Sequence, residues 1–229
     1  MLKPQKKISR REIKEDKLVT KYFEARQWID ANTKILSYVG IGLAALVVIG
    51  FLWSKSRVDS NEKATLMLAK LTPYYDEGRY DLAINGVPQE GTQGLQAVVD
   101  EHGTTQAGEI AKLYLANSYF ALKNYDKALS TYDDISISDK MITASAYAGM
   151  AACYEVKGDF SHAASYFEKA ASKNMTAGQA PENLQRSATN YAAAGKKEKA
   201  IDLLQMLKKE FPSSSYARDV DRFIAEYSV

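Results

Sequence analysis

The sequence predicts an all-α protein, with a single N-terminal transmembrane helix followed by an α-solenoid of stacked helix pairs. Three observations carry that expectation. Residues 35–53, ILSYVGIGLAALVVIGFLW, contain no charge, proline, asparagine or glutamine. Charge changes sign across this run: residues 1–34 hold ten Lys/Arg against five Asp/Glu, and residues 54–229 hold twenty against twenty-three. Three later segments repeat one pattern of small and aromatic residues at intervals of 35 and 37 residues. With 229 residues, 46% of them hydrophobic and 25% charged, the chain has room for one sizeable domain plus a tail. That composition excludes global disorder.

The apolar run is the first element. At about 1.5 Å per residue its nineteen residues approach the roughly 30 Å hydrocarbon core of a bilayer. Tyr38 and Trp53 stand near its ends, where amphipathic rings favour the interface, and Lys34 and Lys55 bracket it. It reads as an anchor, not as a cleaved signal. The preceding region is too long for an n-region, and SKSRVDS offers no small-x-small cleavage site. The dense basic residues of the short N-terminal segment predict a cytoplasmic N-terminus and an extracytoplasmic C-terminal domain.

Within the tail, residues 1–34, helical spacing aligns Leu18, Tyr22, Ala25 and Ile29, with Ile13, Val19, Phe23 and Trp28 nearby. Two readings stand. One is an amphipathic juxtamembrane helix with a basic face towards anionic lipid or a partner; the other is a solvated charged helix that fixes topology. No nucleic-acid-binding motif accompanies the charge, and no nucleic-acid partner is expected.

The repeats decide the fold of the remainder, residues 54–229. LANSYFALKNYDKALSTYDDI carries Leu115, Ala116, Tyr119, Tyr125, Ala128 and Tyr132. MAACYEVKGDFSHAASYFEKA carries Met150, Ala151, Tyr154, Gly158, Phe160, Ala163, Phe167 and Ala170. SATNYAAAGKKEKAIDLLQML carries Ala188, Tyr191, Gly195, Ala200, Leu204 and Leu207, with Pro212 following. Small residues let the two helices of a pair approach closely, and the aromatic knobs fill the space between stacked pairs. A lone pair cannot bury its own apolar face, so the array is stabilised by its neighbours. These residues resemble the tetratricopeptide repeat, whose period is about 34 residues. The predicted fold is therefore a tetratricopeptide-type α-solenoid.

A degenerate copy precedes them over residues 58–106, with Leu71, Tyr74, Gly78, Tyr80 and Ala83 in register. NGVPQEG shortens its second helix, and a separate helix over TQGLQAVVDEHG follows. Repeats are then expected at about 107–140, 141–175 and 181–212. Residues 213–229 provide the terminal capping helix, with Tyr216, Val220, Phe223 and Tyr227 at helical spacing.

In the tetratricopeptide family, ligands usually lie in the concave groove lined by the first helix of each pair. The resemblance places Thr72 and Tyr75, then Leu113, Asn117 and Phe120, then Ala148, Ala152 and Glu155, then Gln185 and Thr189 on that face. Most are apolar or neutral, which suits an apolar segment or a partner helix. The Lys/Asn/Arg set that clamps a peptide carboxylate in some members is represented by Asn117 alone. The alternative for Leu113 and Phe120 is internal packing.

Catalytic chemistry is not expected. No phosphate-binding loop, GxSxG or Cys-His arrangement occurs, and one cysteine, Cys153, excludes intrachain disulfides and multi-Cys zinc sites. Cys153 reads as a packed thiol, and His102, His162, Asp133–Asp134 and Asp219–Asp221 as solvated or structural groups. No cofactor or metal is predicted, and no enzyme activity.

The layout of basic tail, one span and repeat domain, with AVVDEHGTTQAGEIAKLYLANSYF and KKEFPSSSYARDVDRFI, resembles a bacterial membrane-anchored tetratricopeptide family. Its members are ancillary subunits of the Sec translocon (the YfgM-type proteins). The resemblance implies an inner-membrane protein-binding scaffold with its repeats in the periplasm. The implied partners are translocon subunits, chaperones or exported proteins. EFPSSSYA is also similar to a phrase of envelope-assembly and division coordinators. Two alternatives stay open: an adaptor of another envelope complex, and a regulatory tether signalling through the cytoplasmic tail.

Overall fold

The structure, a computed structural model, describes residues 10–176 and 178–228, with side chains from residue 17 onwards. Residues 1–9 of the basic tail lie outside the described residues, as does the side chain of Ile13. The chain divides into two compact units, Met1–Ser56 and Arg57–Val229.

The first unit contains α1 (Arg10–Ala31) and the beginning of α2 (Thr33–Asp76). Asn32 separates the two helices. Its amide N–H is shared between the carbonyls of Trp28 (3.0 Å) and Ile29 (3.1 Å), and its side-chain amide donates to Trp28 O at 2.7 Å. Such side-chain competition for backbone groups marks a break in regular helix. The N-terminal part of α2 is long and apolar enough to cross a membrane, and none of its most apolar stretch is buried by the protein.

The second unit is built from helix pairs. The C-terminal part of α2 pairs with α3 (Tyr80–Asn85), a helix of only six residues. Then follow α4 (Leu95–His102), the pair α5 (Gln106–Ala121) and α6 (Tyr125–Asp133), and the pair α7 (Lys140–Val156) and α8 (Phe160–Lys173). The last pair is α9 (Ala180–Ala193) with α10 (Lys197–Glu210), closed by a 3-10 turn (Ser215–Asp219) and α11 (Val220–Tyr227). Among the described residues the fold is a mostly helical solenoid.

The pairs share one turn. Gly78, Lys123, Gly158 and Gly195, each four residues after Tyr74, Tyr119, Tyr154 and Tyr191, all have positive φ, between 61° and 76°. In each case the next residue's N–H closes back on that tyrosine's carbonyl, at 2.8 to 2.9 Å. This is the left-handed C-terminal cap that satisfies the last helical carbonyls, and glycine adopts it without steric cost. Lys123 holds the same conformation with a side chain, which costs about 1–2 kcal/mol.

Small residues sit where helices approach. Ala83, Ala128, Ala163 and Ala200 of the second helices are fully buried, as are Ala116, Ala151 and Ala188 of the first helices. Leu71 takes the corresponding place in α2, also fully buried. Three apolar clusters form the core. Leu71, Leu95, Val98 and Leu115 anchor the first, Tyr132, Met150 and Cys153 the second, and Leu184, Leu204, Leu207 and Val220 the third. Phe223, Ile224 and Tyr227 of α11 pack on the last cluster and cover the end of the array, as a terminal helix must.

One local element goes beyond the sequence reading. Between α3 and α4, β1 (Gly86–Val87) and β2 (Thr92–Gln93) pair antiparallel, Gly86 with Gln93 and Val87 with Thr92. The backbones come so close that a Cβ on Gly86 would stand 2.2 Å from Thr92 O, and one on Gly94 2.1 Å from Ile84 O. Two-residue strands are too short for an alternating pattern to register; the glycines that read as breakers are what permit the approach.

Candidate protein-binding surface

The surface carried by the first helices (α2, α5, α7 and α9) holds two polar assemblies and an open apolar cavity. The first assembly joins the first two pairs. Tyr132 Oη donates to Asn117 Oδ1, and Asn117 Nδ2 donates to Tyr75 Oη at 3.1 Å. Tyr75 also meets Tyr114 edge-to-face, with ring centroids 4.6 Å apart, and Tyr80 at 5.6 Å. Burial pushes the Tyr75 phenol above its ordinary pKa, and pushes Tyr132 well above it. Both phenols therefore stay protonated at neutral pH and act as neutral hydrogen-bonding groups.

The second assembly joins the last two pairs. Glu155 of α7 accepts from Arg186 and from Asn190 Nδ2, both on α9, and Asn190 also donates to Arg186 O at 2.9 Å. The Arg186 guanidinium lies over the Phe167 ring, 4.2 Å from its centroid. The pair leaves little net charge on this part of the surface.

Leu113 is half-buried against the second core cluster and also lines a cavity of about 490 Å³. Met141, Ile142, Ser145 and residues of the turn before α9 complete the lining, and Met141 is 62% exposed. Phe120 packs into the same cluster, edge-on to Tyr125 with centroids 5.3 Å apart. Thr72 is half-buried, and its hydroxyl is engaged by Leu68 O at 3.0 Å. Ala148, Ala152 and Gln185 are half-buried, whereas Thr189 is exposed.

The structure thus brings Tyr75 together with Asn117, and gives both Asn117 and Glu155 partners absent from the sequence-derived set: Tyr132 for Asn117, and Arg186 and Asn190 for Glu155. Arg186 and Asn190 stand four apart on one face of α9, so their proximity to each other was readable; their convergence on Glu155 was not.

A larger cavity, about 810 Å³, opens beside Arg57, Thr104, Gln106 and the Ser136–Asp139 linker. Its inner wall is an ion pair, Glu109 and Lys112, whose side chains are 7% and 8% exposed. Lys112 Nζ is occupied by Glu109 Oε1 (3.3 Å), Asp134 Oδ2 (2.8 Å) and Asp134 O (2.9 Å). Glu109 accepts from the Ser136 N–H at 2.9 Å and the Ser136 hydroxyl at 3.2 Å. These bonds fasten the linker between the second and third pairs to α5.

Cys153 is fully buried, and burial pushes its thiol up to about 11. It is a packed side chain, not a nucleophile. Among the described residues no cluster of His, Cys, Asp or Glu has the grouping needed to hold a metal.

A family profile described as Tetratricopeptide repeat matches residues 111–136 and 182–214, which fall on the second and fourth helix pairs. No curated protein matches the chain. Solved structures do. The TPR-like repeats of a candidate kinesin light chain from Podosopora anserina superpose with a TM-score of 0.53 at 14% identity, covering 73% of this chain and 86% of that one. A single-substitution form of that same protein gives a TM-score of 0.53 at 14% identity, with 73% and 85% covered. At that identity the likeness concerns the fold. The chain carries tetratricopeptide repeats within a TPR-like solenoid, the architecture of a protein-binding scaffold.

Proposed function

We infer that this scaffold is anchored in a membrane by residues 35–53 and presents its repeats to protein partners on the far side of the bilayer. The observation that carries the reading is an apolar stretch left exposed on a chain whose solenoid has its own core. Eleven of those nineteen residues are Leu, Ile, Val or Phe. At roughly 0.3–0.6 kcal/mol each near a bilayer centre, they favour insertion by on the order of 3–7 kcal/mol, with no charged residue opposing them. A core helix would be buried by its own protein. The basic tail favours a cytoplasmic N-terminus, and the resemblance noted above points to a bacterial inner membrane with periplasmic repeats.

The partner surface is assigned to the first helices, from Thr72 and Tyr75 through Leu113, Asn117 and Phe120 to Ala152, Glu155, Gln185 and Thr189. Its charges are internally paired and its open cavity is lined by Leu113, Met141 and Ile142, which suits an apolar segment or a helix. TPR-like folds are typically non-catalytic, and the scaffold reading needs no chemistry. On the family resemblance, the partners are translocon subunits, chaperones or newly exported chains.

Purification of the full-length protein in mild detergent, after brief crosslinking in cells, tests this. Recovery of translocon subunits that is lost on Leu113→Asp/Met141→Asp supports the export scaffold. A different dominant envelope complex would replace it with the adaptor reading. A signalling output that vanishes on removing residues 1–30, with the repeats folded, would favour the regulatory tether.

A further inference from the structure

The cavity bounded by Leu113, Met141 and Ile142 carries more than apolar surface. Ser145 of α7, and Asn174 and Gln179 from the segment between α8 and α9, line it too, and none of its lining residues is ionisable. Hydroxyls elsewhere on the first helices are used internally. Thr72, Ser118 and Thr143 each donate to the carbonyl four residues earlier, at 3.0, 2.7 and 2.7 Å. The half-buried Ser145 hydroxyl makes no such bond and has no other partner among the described residues. Asn174 Oδ1 accepts from the Thr176 hydroxyl at 3.0 Å, which leaves Asn174 Nδ2 without a partner among the described residues, and the Gln179 amide has none either. At about 490 Å³ the cavity lies within the range of about 300–1,000 Å³ of ligand pockets, which combine apolar walls with a few placed polar groups.

We propose that this cavity captures an extended, uncharged segment of a partner chain. Large apolar side chains enter against Leu113, Met141 and Ile142, while the segment's backbone bonds to Ser145, Asn174 and Gln179. This occupant rests on the partner-surface reading above and decides between its two candidates, an apolar segment and a helix. A helix has used its backbone N–H and C=O groups internally and has none along its length to offer these polar side chains. An extended chain has a free donor and acceptor at each residue. It also sends alternate side chains to opposite sides, so apolar residues at every second position face the cavity together. Ser145 Oγ and Gln179 Oε1 accept from backbone N–H groups, and Asn174 Nδ2 donates to a carbonyl. A charged side chain would find no counter-ion in the lining and would lose its hydration on entry. Met141, 62% exposed and unbranched, adapts to apolar side chains of different shape, so extension and neutrality are selected more strictly than any one residue.

The test uses the full-length chain in detergent and three fluorescent, end-capped heptapeptides, with binding read by anisotropy. The first alternates serine with leucine. The second is the same peptide with its backbone nitrogens methylated, and the third is a stapled helix with leucines four residues apart. The first should bind tightest, and N-methylation should weaken it about tenfold through the loss of two backbone donors. Ser145→Ala/Gln179→Ala should bring the first two peptides to equal affinity, and Met141→Asp, at an exposed position, should abolish binding of both. Equal affinity of those two for the parent chain would overturn backbone capture. A stapled helix that binds as tightly as the first peptide would overturn the extended occupant and leave the partner surface standing. If no peptide binds, yet Met141→Asp removes the partners crosslinked in cells, the extended occupant alone is refuted. If those partners persist as well, the partner surface is refuted with it.

Discussion

Lys112 occupies a place that the repeat pattern reserves for apolar residues. Seven residues before each turn tyrosine stand Met67, Lys112, Tyr147 and Leu184, and Lys112 alone is charged. Replacing it with methionine restores the pattern, yet it should destabilise the protein. The change strands the Glu109 carboxylate, 7% exposed, with only the Ser136 N–H and hydroxyl as partners. Removing one member of a buried ion pair costs about 3–5 kcal/mol. Asp134, 70% exposed, returns to water at little cost. For a chain of this size each kcal/mol moves the thermal midpoint by about 2–4 °C, so Lys112→Met should lower it by roughly 10 °C. The double variant Glu109→Gln/Lys112→Met removes the stranded charge and keeps an amide oxygen for the Ser136 N–H. It should recover most of the loss, since replacing both members of a buried pair is often neutral. Thermal unfolding of the full chain in detergent, followed by circular dichroism, reads both. A Lys112→Met variant as stable as the parent, or a double variant as damaged as the single, would show that the pair is not the element securing the linker.

Other perturbations have directions set by geometry. Lys123→Gly should leave stability unchanged or raise it by up to about 1 kcal/mol, because relief of the left-handed conformation outweighs or balances the added freedom of the unfolded chain; denaturant titration measures it. Gly149→Ala should destabilise by about 1–3 kcal/mol in the same titration, because its Cβ would fall 2.3 Å from the Tyr132 ring, and Tyr132→Leu should partly rescue it. Cys153, with its thiol pushed up to about 11 and no exposure, should react with maleimide at pH 8 about two orders of magnitude more slowly than a free thiol until the protein is unfolded. Asp159 accepts from the His162 N–H and ring, which hold its carboxyl below the ordinary range. Its folded pKa being the lower one, its contribution is full above the unfolded-state carboxylate pKa and is lost as pH falls through the folded value. Asp159→Ala should therefore narrow the stability difference from the parent only below about pH 4.

The repeats were legible because their residues do local and interchangeable work. Tyr119, Tyr154 and Tyr191 precede one cap geometry at a fixed interval, and Ala128, Ala163 and Ala200 mark one close approach; both constraints act within a single helix pair and recur in the sequence. The apolar segment was equally plain, since length and absence of charge are one-dimensional properties. The hydrogen-bond partners of the residues assigned to the groove were not legible. Tyr132 read as a knob, yet its hydroxyl reaches Asn117. Glu155 read as a groove-lining position, yet Arg186 and Asn190 come to it from a helix more than thirty residues away. The short β1–β2 pairing and the bonds from Glu109 and Lys112 to Ser136 and Asp134 likewise join residues whose spacing carries no period. The sequence by itself determined which segments are helices, where they turn and which stretch is long and apolar enough to cross a membrane, because those follow from local sterics and hydropathy. The tertiary structure alone decided which polar side chains meet, because hydrogen bonds between distant helices depend on the angle and depth at which those helices pack.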